Sequence, residues 1–206
     1  MKDDVDRLTP LGLMILALLG EGDMHPYEMI RLMRQRRDDR LVTITNGTLY
    51  HTVGRLERVG LLTEVGIDRL GNRPERTTYA LSPEGRAAVA EWVRRELPRI
   101  DRPGEFRIAL AEAHNLERDE VLELLRARRA ALAAAQIELT AGREKAGARE
   151  VPEQYLLEVE RELVMLGSDL AWLDALIARL ERHEFPWGAP ALHSERYLQD
   201  RRAARL

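Results

Sequence analysis

The stretch Thr45-Asn-Gly-Thr-Leu-Tyr-His-Thr-Val-Gly-Arg-Leu-Glu-Arg-Val-Gly-Leu-Leu-Thr-Glu-Val-Gly-Ile67 changes its hydrophobic period partway along, and that change decides the fold. In its first part Leu49, Val53, Leu56 and Val59 recur at spacings of four, three and three, which predicts a helix with one buried stripe. Thr45 is a natural N-cap and Gly60 a natural C-terminal stop. From Leu62 to Ile67 the pattern is that of a short strand, and Thr77-Thr-Tyr-Ala-Leu81 is its expected partner. Arg69-Leu-Gly-Asn-Arg-Pro-Glu-Arg76 joins them as a polar, glycine- and proline-bearing tip.

Working outward, Leu8 to Leu19 is expected to be a helix, with Thr9 as N-cap and Pro10 at the first helical position. A second helix runs from Pro26 to about Arg36, with Tyr27, Met29, Ile30 and Met33 facing inward. Ser82-Pro-Glu-Gly85 starts a further helix that reaches about Leu97. Helix, helix, helix, strand, loop, strand is the order of a winged helix-turn-helix with a two-stranded wing, assigned to residues 1–97.

The second half has another texture. Pro98-Arg-Ile-Asp-Arg-Pro-Gly104 carries two prolines and a glycine and is expected to be a linker, 98–104. Residues 105–185 are helical by pattern and 186–206 form a polar tail to which no role is assigned. Leu156, Val159, Leu163, Leu166, Leu170, Leu173, Ile177 and Leu180 are spaced 3-4-3-4-3-4-3, an unbroken heptad seam. An earlier helix, about Arg118 to Ala141, carries its own stripe, and Gly142 to Pro152 is turn-prone. Acids flank the seam (Glu158, Glu160, Glu162, Asp169, Asp174) and arginines the earlier helix (Arg118, Arg126, Arg128, Arg129). The pattern points to a coiled-coil-like dimer interface along those eight seam residues, with an intramolecular helical hairpin as the alternative. The fold class is therefore mainly α: a winged helix-turn-helix followed by a helical dimerisation domain.

Composition narrows the chemistry. With 206 residues, 45% apolar and 33% charged, the chain can bury a sizeable core. It has no cysteine, so disulfides, thiolate nucleophiles and Cys-based zinc sites are excluded. The apolar run Leu11–Leu19 is too short to span a bilayer. Three acids against two bases precede it, the wrong sign for an export signal, so a cytoplasmic location is expected. Five scattered histidines show no ligand spacing, and no phosphate loop or nucleophile–base set stands out. No enzyme activity, metal or cofactor is expected.

The formal net charge is −3, so attraction to nucleic acid must come from local placement. With the apolar stripe buried, the 45–60 helix displays Thr48, His51, Thr52, Arg55 and Arg58, while Asn46 and Thr48 lie in its first turn, where backbone N–H groups favour a phosphate. Such side chains donate to phosphates or read base edges in a major groove. Arg69, Arg73 and Arg76, with Asn72, would let the wing hold a phosphate backbone. Mid-helix Gly54 points to close approach by another helix or backbone. Trp172, off the seam, is the one aromatic offered as lining an effector cavity. The near-neutral charge keeps a second reading open, a helical adaptor whose winged helix binds protein rather than DNA.

Three segments carry a resemblance: Met24-His-Pro-Tyr-Glu-Met29; Gly47-Thr-Leu-Tyr-His51 with Arg55-Leu-Glu57 and Gly60-Leu61; and Asn72-Arg-Pro-Glu-Arg-Thr-Thr-Tyr79 with Gly85. In order and spacing they resemble the PadR family of bacterial transcriptional regulators, in its larger size class with a long helical C-terminal half. The resemblance implies a homodimer that binds a partly palindromic double-stranded operator, usually as a repressor relieved by a small-molecule effector. It also implies that Thr48, Tyr50 and His51 face DNA and that Arg73 and Arg76 belong to the wing. Tyr50 lies to one side of the face that periodicity gives, so its expected contact is a phosphate at the helix edge. No effector-binding position is carried over.

Overall fold

The structure, a computed structural model, describes residues 8–68, 76–188, 199 and 203. Helix α1 (Pro10–Gly20) is apolar on nearly every side, and a helix of that kind has to lie inside a core. Leu13, Ile15, Leu16 and Leu19 are fully enclosed, and the Thr9 hydroxyl caps the helix by accepting from the Gly12 N–H at 3.2 Å. The run that superficially matches the core of an export signal is thus the central element of the winged-helix unit.

Helix α2 (Pro26–Gln35) buries Met29, Ile30, Leu32 and Met33. Tyr27, expected inward, is 43% exposed. At 3.6 residues per turn it shares the outer face with Arg31, whose guanidinium lies 5.8 Å from the tyrosine ring centroid. Helix α3 (Asn46–Arg58) packs on α1 and α2 and is followed by strands β1 (Leu62–Asp68) and β2 (Arg76–Leu81). The strands pair antiparallel, Leu62 opposite Leu81 and Asp68 opposite Arg76, with an irregularity between Glu64 and Gly66. Met24 adds an isolated bridge to Tyr79, two backbone hydrogen bonds of 3.0 Å, so the segment entering α2 is tied to the sheet.

Helix α4 (Pro83–Glu96) is locked to this unit at its first turn. Ser82 Oγ accepts from the Gly85 N–H at 2.9 Å and donates to the Gly60 carbonyl at 2.8 Å. A Cβ at Gly85 would overlap the Leu61 carbonyl oxygen, so only glycine permits this approach. Trp92 is fully buried on the inner face of α4. Residues 97–102 lead to α5 (Pro103–Ala111), which packs back on α1 and α4.

Two long helices complete the described structure. Helix α6 (Arg118–Ala148) runs seven residues past the end expected at Ala141, because single glycines at 142 and 147 among Ala, Arg, Glu and Lys weaken a helix without ending it. The turn comes at Glu150, which takes a left-handed φ of 55°, followed by Pro152. Helix α7 (Leu157–Glu181) then returns against α6. The heptad seam meets its partner inside the chain: Leu166, Leu173, Ile177 and Leu180 are buried in the hairpin, and Leu163 and Leu170 are half-buried. Leu156 and Val159, at the open end, are also half-buried. The complementary flanks pair in cis, Arg129 to Asp174 at 2.5 Å and Arg126 to Glu181 at 2.6 Å. Four of the eight seam residues are therefore dry within one chain, and the other four keep exposed area. Apolar surface is left elsewhere on the hairpin, at Ile137, Leu157, Val164, Met165 and Trp172.

Where α1, α2 and α5 end together, charges crowd. Arg36 forms a bidentate pair with Glu21 at 2.7 and 2.8 Å, and burial pushes the nearby Asp38 carboxyl above its ordinary value. Burial also pushes the Glu112 carboxyl, from an ordinary 4.5, up to about 7. Glu21 adds to that rise; the Asn115 amide, 3.2 Å from Glu112 Oε2, opposes it. Between these two pH values the folded chain holds a proton that the unfolded chain has released, so stability falls as pH rises through the window. Glu112→Gln should raise the melting temperature at pH 8 by about 2–4 °C, the size of a ~1 kcal/mol change in a chain of this length. It should change little at pH 4.5, where the native carboxyl is already largely neutral. Thermal melts at both pH values check this; an equal shift at both contradicts it.

Candidate nucleic-acid interface

Helix α3 begins with a reciprocal cap. Thr45 Oγ1 accepts from the Thr48 N–H and Thr48 Oγ1 from the Thr45 N–H, both at 3.1 Å. It ends at Gly60, φ 74°, where the Leu61 N–H reaches the Leu56 carbonyl at 3.0 Å and the Gly60 N–H the Glu57 carbonyl at 2.9 Å. Both ends are fixed by local sequence, and Leu49, Val53 and Leu56 fix the rotation between them by being buried.

Asn46, Thr48, Tyr50, His51 and Arg58 all reach solvent on the outer side. Arg58 Nε folds back onto the Gly54 carbonyl at 3.2 Å. Arg55 is half-buried, with Nη2 donating to Thr9 Oγ1 at 3.2 Å, so it ties α3 to the start of α1. Thr52, expected on the DNA face, is only 7% exposed. It lies one turn from both Leu49 and Leu56, and its hydroxyl donates to the Thr48 carbonyl at 2.7 Å, so it belongs to the inner side. Val59, expected in the buried stripe, is 49% exposed, because the helix has ended at Arg58 and the closing turn swings it outward. Asn72 and Arg73 lie outside the described residues. Arg76 opens β2, and its side chain also lies outside them.

His25 was missed by periodicity. Its Nδ1 accepts from the Tyr27 N–H at 3.0 Å, capping α2, and its ring meets Tyr50 edge-on with centroids 6.4 Å apart. Because Met24 beside it is bridged to β2, His25 holds Tyr50 at the edge of the α3 face from a fixed backbone. Its place beside proline at a helix start, within the Met24–Met29 segment that carries the resemblance, was the available signal. Burial, and then the Glu57 and Glu64 carboxylates, push the neighbouring Tyr79 hydroxyl above its ordinary value, so this phenol stays protonated. Trp172, offered as an effector-cavity residue, is 44% exposed on α7 and meets Phe106 edge-on. Among the described residues no group of three or more His, Asp or Glu side chains could hold a metal, and no helix is long and apolar enough to cross a membrane.

A three-helix unit, an antiparallel two-stranded wing and a capped third helix with a polar outer face define a winged helix-turn-helix, the class of domain that regulators of transcription use to meet DNA. Residues 15–91 match the model of the transcriptional regulator PadR-like family, and through this domain the chain belongs to that family. Among solved structures, the chain is similar to Bacillus subtilis PadR in complex with operator DNA, at 20% identity over 82% of this chain and 98% of that one, with a TM-score of 0.40. It is similar to a transcriptional regulator from Clostridium thermocellum, at 33% identity over 39% of this chain and 74% of that one, TM-score 0.33. Bacillus subtilis PadR in complex with p-coumaric acid matches at 19% identity over 84% of this chain and 99% of that one, TM-score 0.38. No curated protein matches the chain.

Gly54 corrects one expectation. Among the described residues a Cβ there would meet nothing within 4 Å, so none of them makes a close approach. Gly54→Ala should therefore stabilise the domain by about 1 kcal/mol through helix propensity alone. Urea unfolding checks this; a loss of stability would show a contact the geometry does not contain.

Proposed function

We propose that this chain is a homodimeric, sequence-specific DNA-binding regulator, acting as a repressor released by a small-molecule effector. The observation that carries the proposal is the outer face of α3, where Asn46, Thr48, Tyr50, His51 and Arg58 stand exposed on a helix whose inner face is sealed. In this reading the first-turn N–H groups and Thr48 receive a phosphate, His51 and Arg58 meet the groove, and Tyr50 holds a phosphate from the edge. The wing, through Asn72, Arg73 and Arg76, grips flanking backbone. Arg55 serves from behind by anchoring the helix, and Thr52 makes no DNA contact.

Two copies would set two such helices in successive major grooves about 34–36 Å apart. The surface that supports a dimer is the outer stripe of the hairpin, Leu157 and Val164 one heptad apart with Met165 and Trp172 beside them. The half-buried end of the seam, Leu156 and Val159, extends it. An effector would act by shifting the population of dimers whose helix spacing fits the duplex.

Fragments of the organism's own DNA selected by the purified chain supply the operator, and fluorescence anisotropy then measures binding. His51→Ala should cost roughly tenfold or more in operator affinity, the range of one base or phosphate contact. Thr52→Val should leave affinity nearly unchanged. Arg73→Ala with Arg76→Ala should weaken binding to all sequences and reduce its steep salt dependence. Salt-independent binding, or Thr52→Val behaving like His51→Ala, contradicts the proposed interface; the former favours the adaptor reading.

The dimer surface has its own check. Leu157→Glu with Val164→Glu should give a folded monomer by light scattering and circular dichroism. Leu173→Glu should instead unfold the hairpin, since that side chain is 1% exposed within a single chain. A double variant that stays dimeric places the interface elsewhere.

A further inference from the structure

Helices α1 to α4 build the winged-helix unit, and three of them begin on a hydroxyl cap: Thr9 for α1, Thr45 for α3 and Ser82 for α4. Helix α2 begins on an imidazole instead, with His25 Nδ1 accepting from the Tyr27 N–H at 3.0 Å. A hydroxyl caps in the same way at any pH near neutral. An imidazole nitrogen accepts only while it is bare, so this cap requires a neutral ring with its proton on Nε2. A further proton goes to Nδ1, where it meets the Tyr27 N–H head-on. Pro26 brings no N–H to the helix, so Tyr27 supplies the first one and His25 receives it.

The same ring carries a second contact. Tyr50 of α3 meets it edge-on, with centroids 6.4 Å apart and planes at 72°. The backbone is held on both sides of His25: Met24 exchanges two 3.0 Å hydrogen bonds with Tyr79 of β2, and Pro26 has its φ fixed by its own ring. A protonated ring therefore relieves the opposition of the two N–H groups by turning about its side-chain bonds, and turning takes its edge off Tyr50. The charged groups on the elements around it are Asp23 before it, Glu28 and Arg31 on α2, Glu57 on α3 and Glu64 on β1. The carboxylates favour a proton on the ring; Arg31 and the positive end of α2 oppose it.

We propose that His25 is a positioning residue that works as a proton switch. Neutral, it caps α2 and steadies Tyr50 for a phosphate; protonated at Nδ1, it releases both and operator affinity falls. The consequence for DNA rests on the DNA-binding reading above; the coupling of His25 to Tyr50 does not. His51 acts with the opposite sign, because a proton on that exposed ring adds positive charge toward the phosphates. The signature of the switch is thus a difference between two chains that both keep His51.

The test compares the full chain with His25→Asn, whose amide oxygen caps α2 at every pH and which lacks the ring. Circular dichroism checks the fold of both at each pH. Anisotropy on the selected operator is read from about pH 7.5 to about pH 5.5, on either side of the ordinary histidine value of ~6.5. At the upper end the wild-type chain should bind about tenfold more tightly than His25→Asn, the loss of one hydrogen bond to a charged phosphate. At the lower end the two should converge. In a Tyr50→Phe background, His25→Asn should cost nothing at either end. Parallel profiles, or equal affinities at the upper end, overturn the proposal. Nuclear magnetic resonance on the chain without DNA reads the switch independently: the Tyr50 ring signals should shift together with the titration of His25 and stay constant over that range in His25→Asn. Tyr50 signals indifferent to the His25 titration overturn the proposal; if His25→Asn unfolds, those of the wild-type chain decide. A chain that binds no DNA contradicts the regulator reading, and the Tyr50 signals then settle the switch by themselves.

Discussion

Leu49, Val53 and Leu56 can all be dry in only one rotation of α3, and much else in the molecule depends on that. The apolar α1 supplies the surface they seal against, and α2 closes the other side. Side-chain burial of this kind stabilises by about 1.5–3 kcal/mol for each large aliphatic residue, well above any hydrogen bond available to the exposed face. The outward display of Thr48, His51 and Arg58 is therefore a consequence of core packing and needs no ligand to form. The caps at Thr45 and Gly60 set where the helix starts and stops, so the polar face has a defined length as well as a direction.

The same economy of contact runs through the wing and the helical half. Gly85 lets α4 press against the Leu61 carbonyl, and Ser82 bridges the end of α3 to the start of α4. The position of β1 and β2 relative to α3 is thus held by backbone contacts. On the far side, Arg128 fastens the α6–α7 hairpin to the segment after α4 through the Arg99 carbonyl. Arg94 of α4 also pairs with Glu120 of α6, so the hairpin is joined to the winged-helix unit at two points.

Much of this was legible in the residues. The winged-helix order, the caps at Thr9, Thr45 and Ser82 and the positive-φ stop at Gly60 follow from local chemistry and appear where expected. Failures came where a pattern has two physical solutions. A 3-4 heptad seam looks the same whether its partner helix is in the same chain or another; here α6 buries Leu166, Leu173, Ile177 and Leu180, while Leu156, Val159, Leu163 and Leu170 stay half-buried. Thr52 is polar by composition yet satisfied by the carbonyl one turn back, which lets it face inward. Tyr27 is apolar enough to suggest burial, but its outward position beside Arg31 suits an amphipathic ring. Arg128 was counted among the arginines flanking the earlier helix, since sequence cannot distinguish a buried guanidinium on a phenyl ring from one that pairs with an acid on the next helix.

The proposed dimer presents two sealed, outward-facing α3 helices together to one duplex. Hydroxyl-radical footprinting on the selected operator tests it most directly. Two protected backbone zones related by symmetry and centred about 10–10.5 base pairs apart, one helical turn, are the result expected. A single unpaired zone, or uniform protection along the duplex, would contradict it.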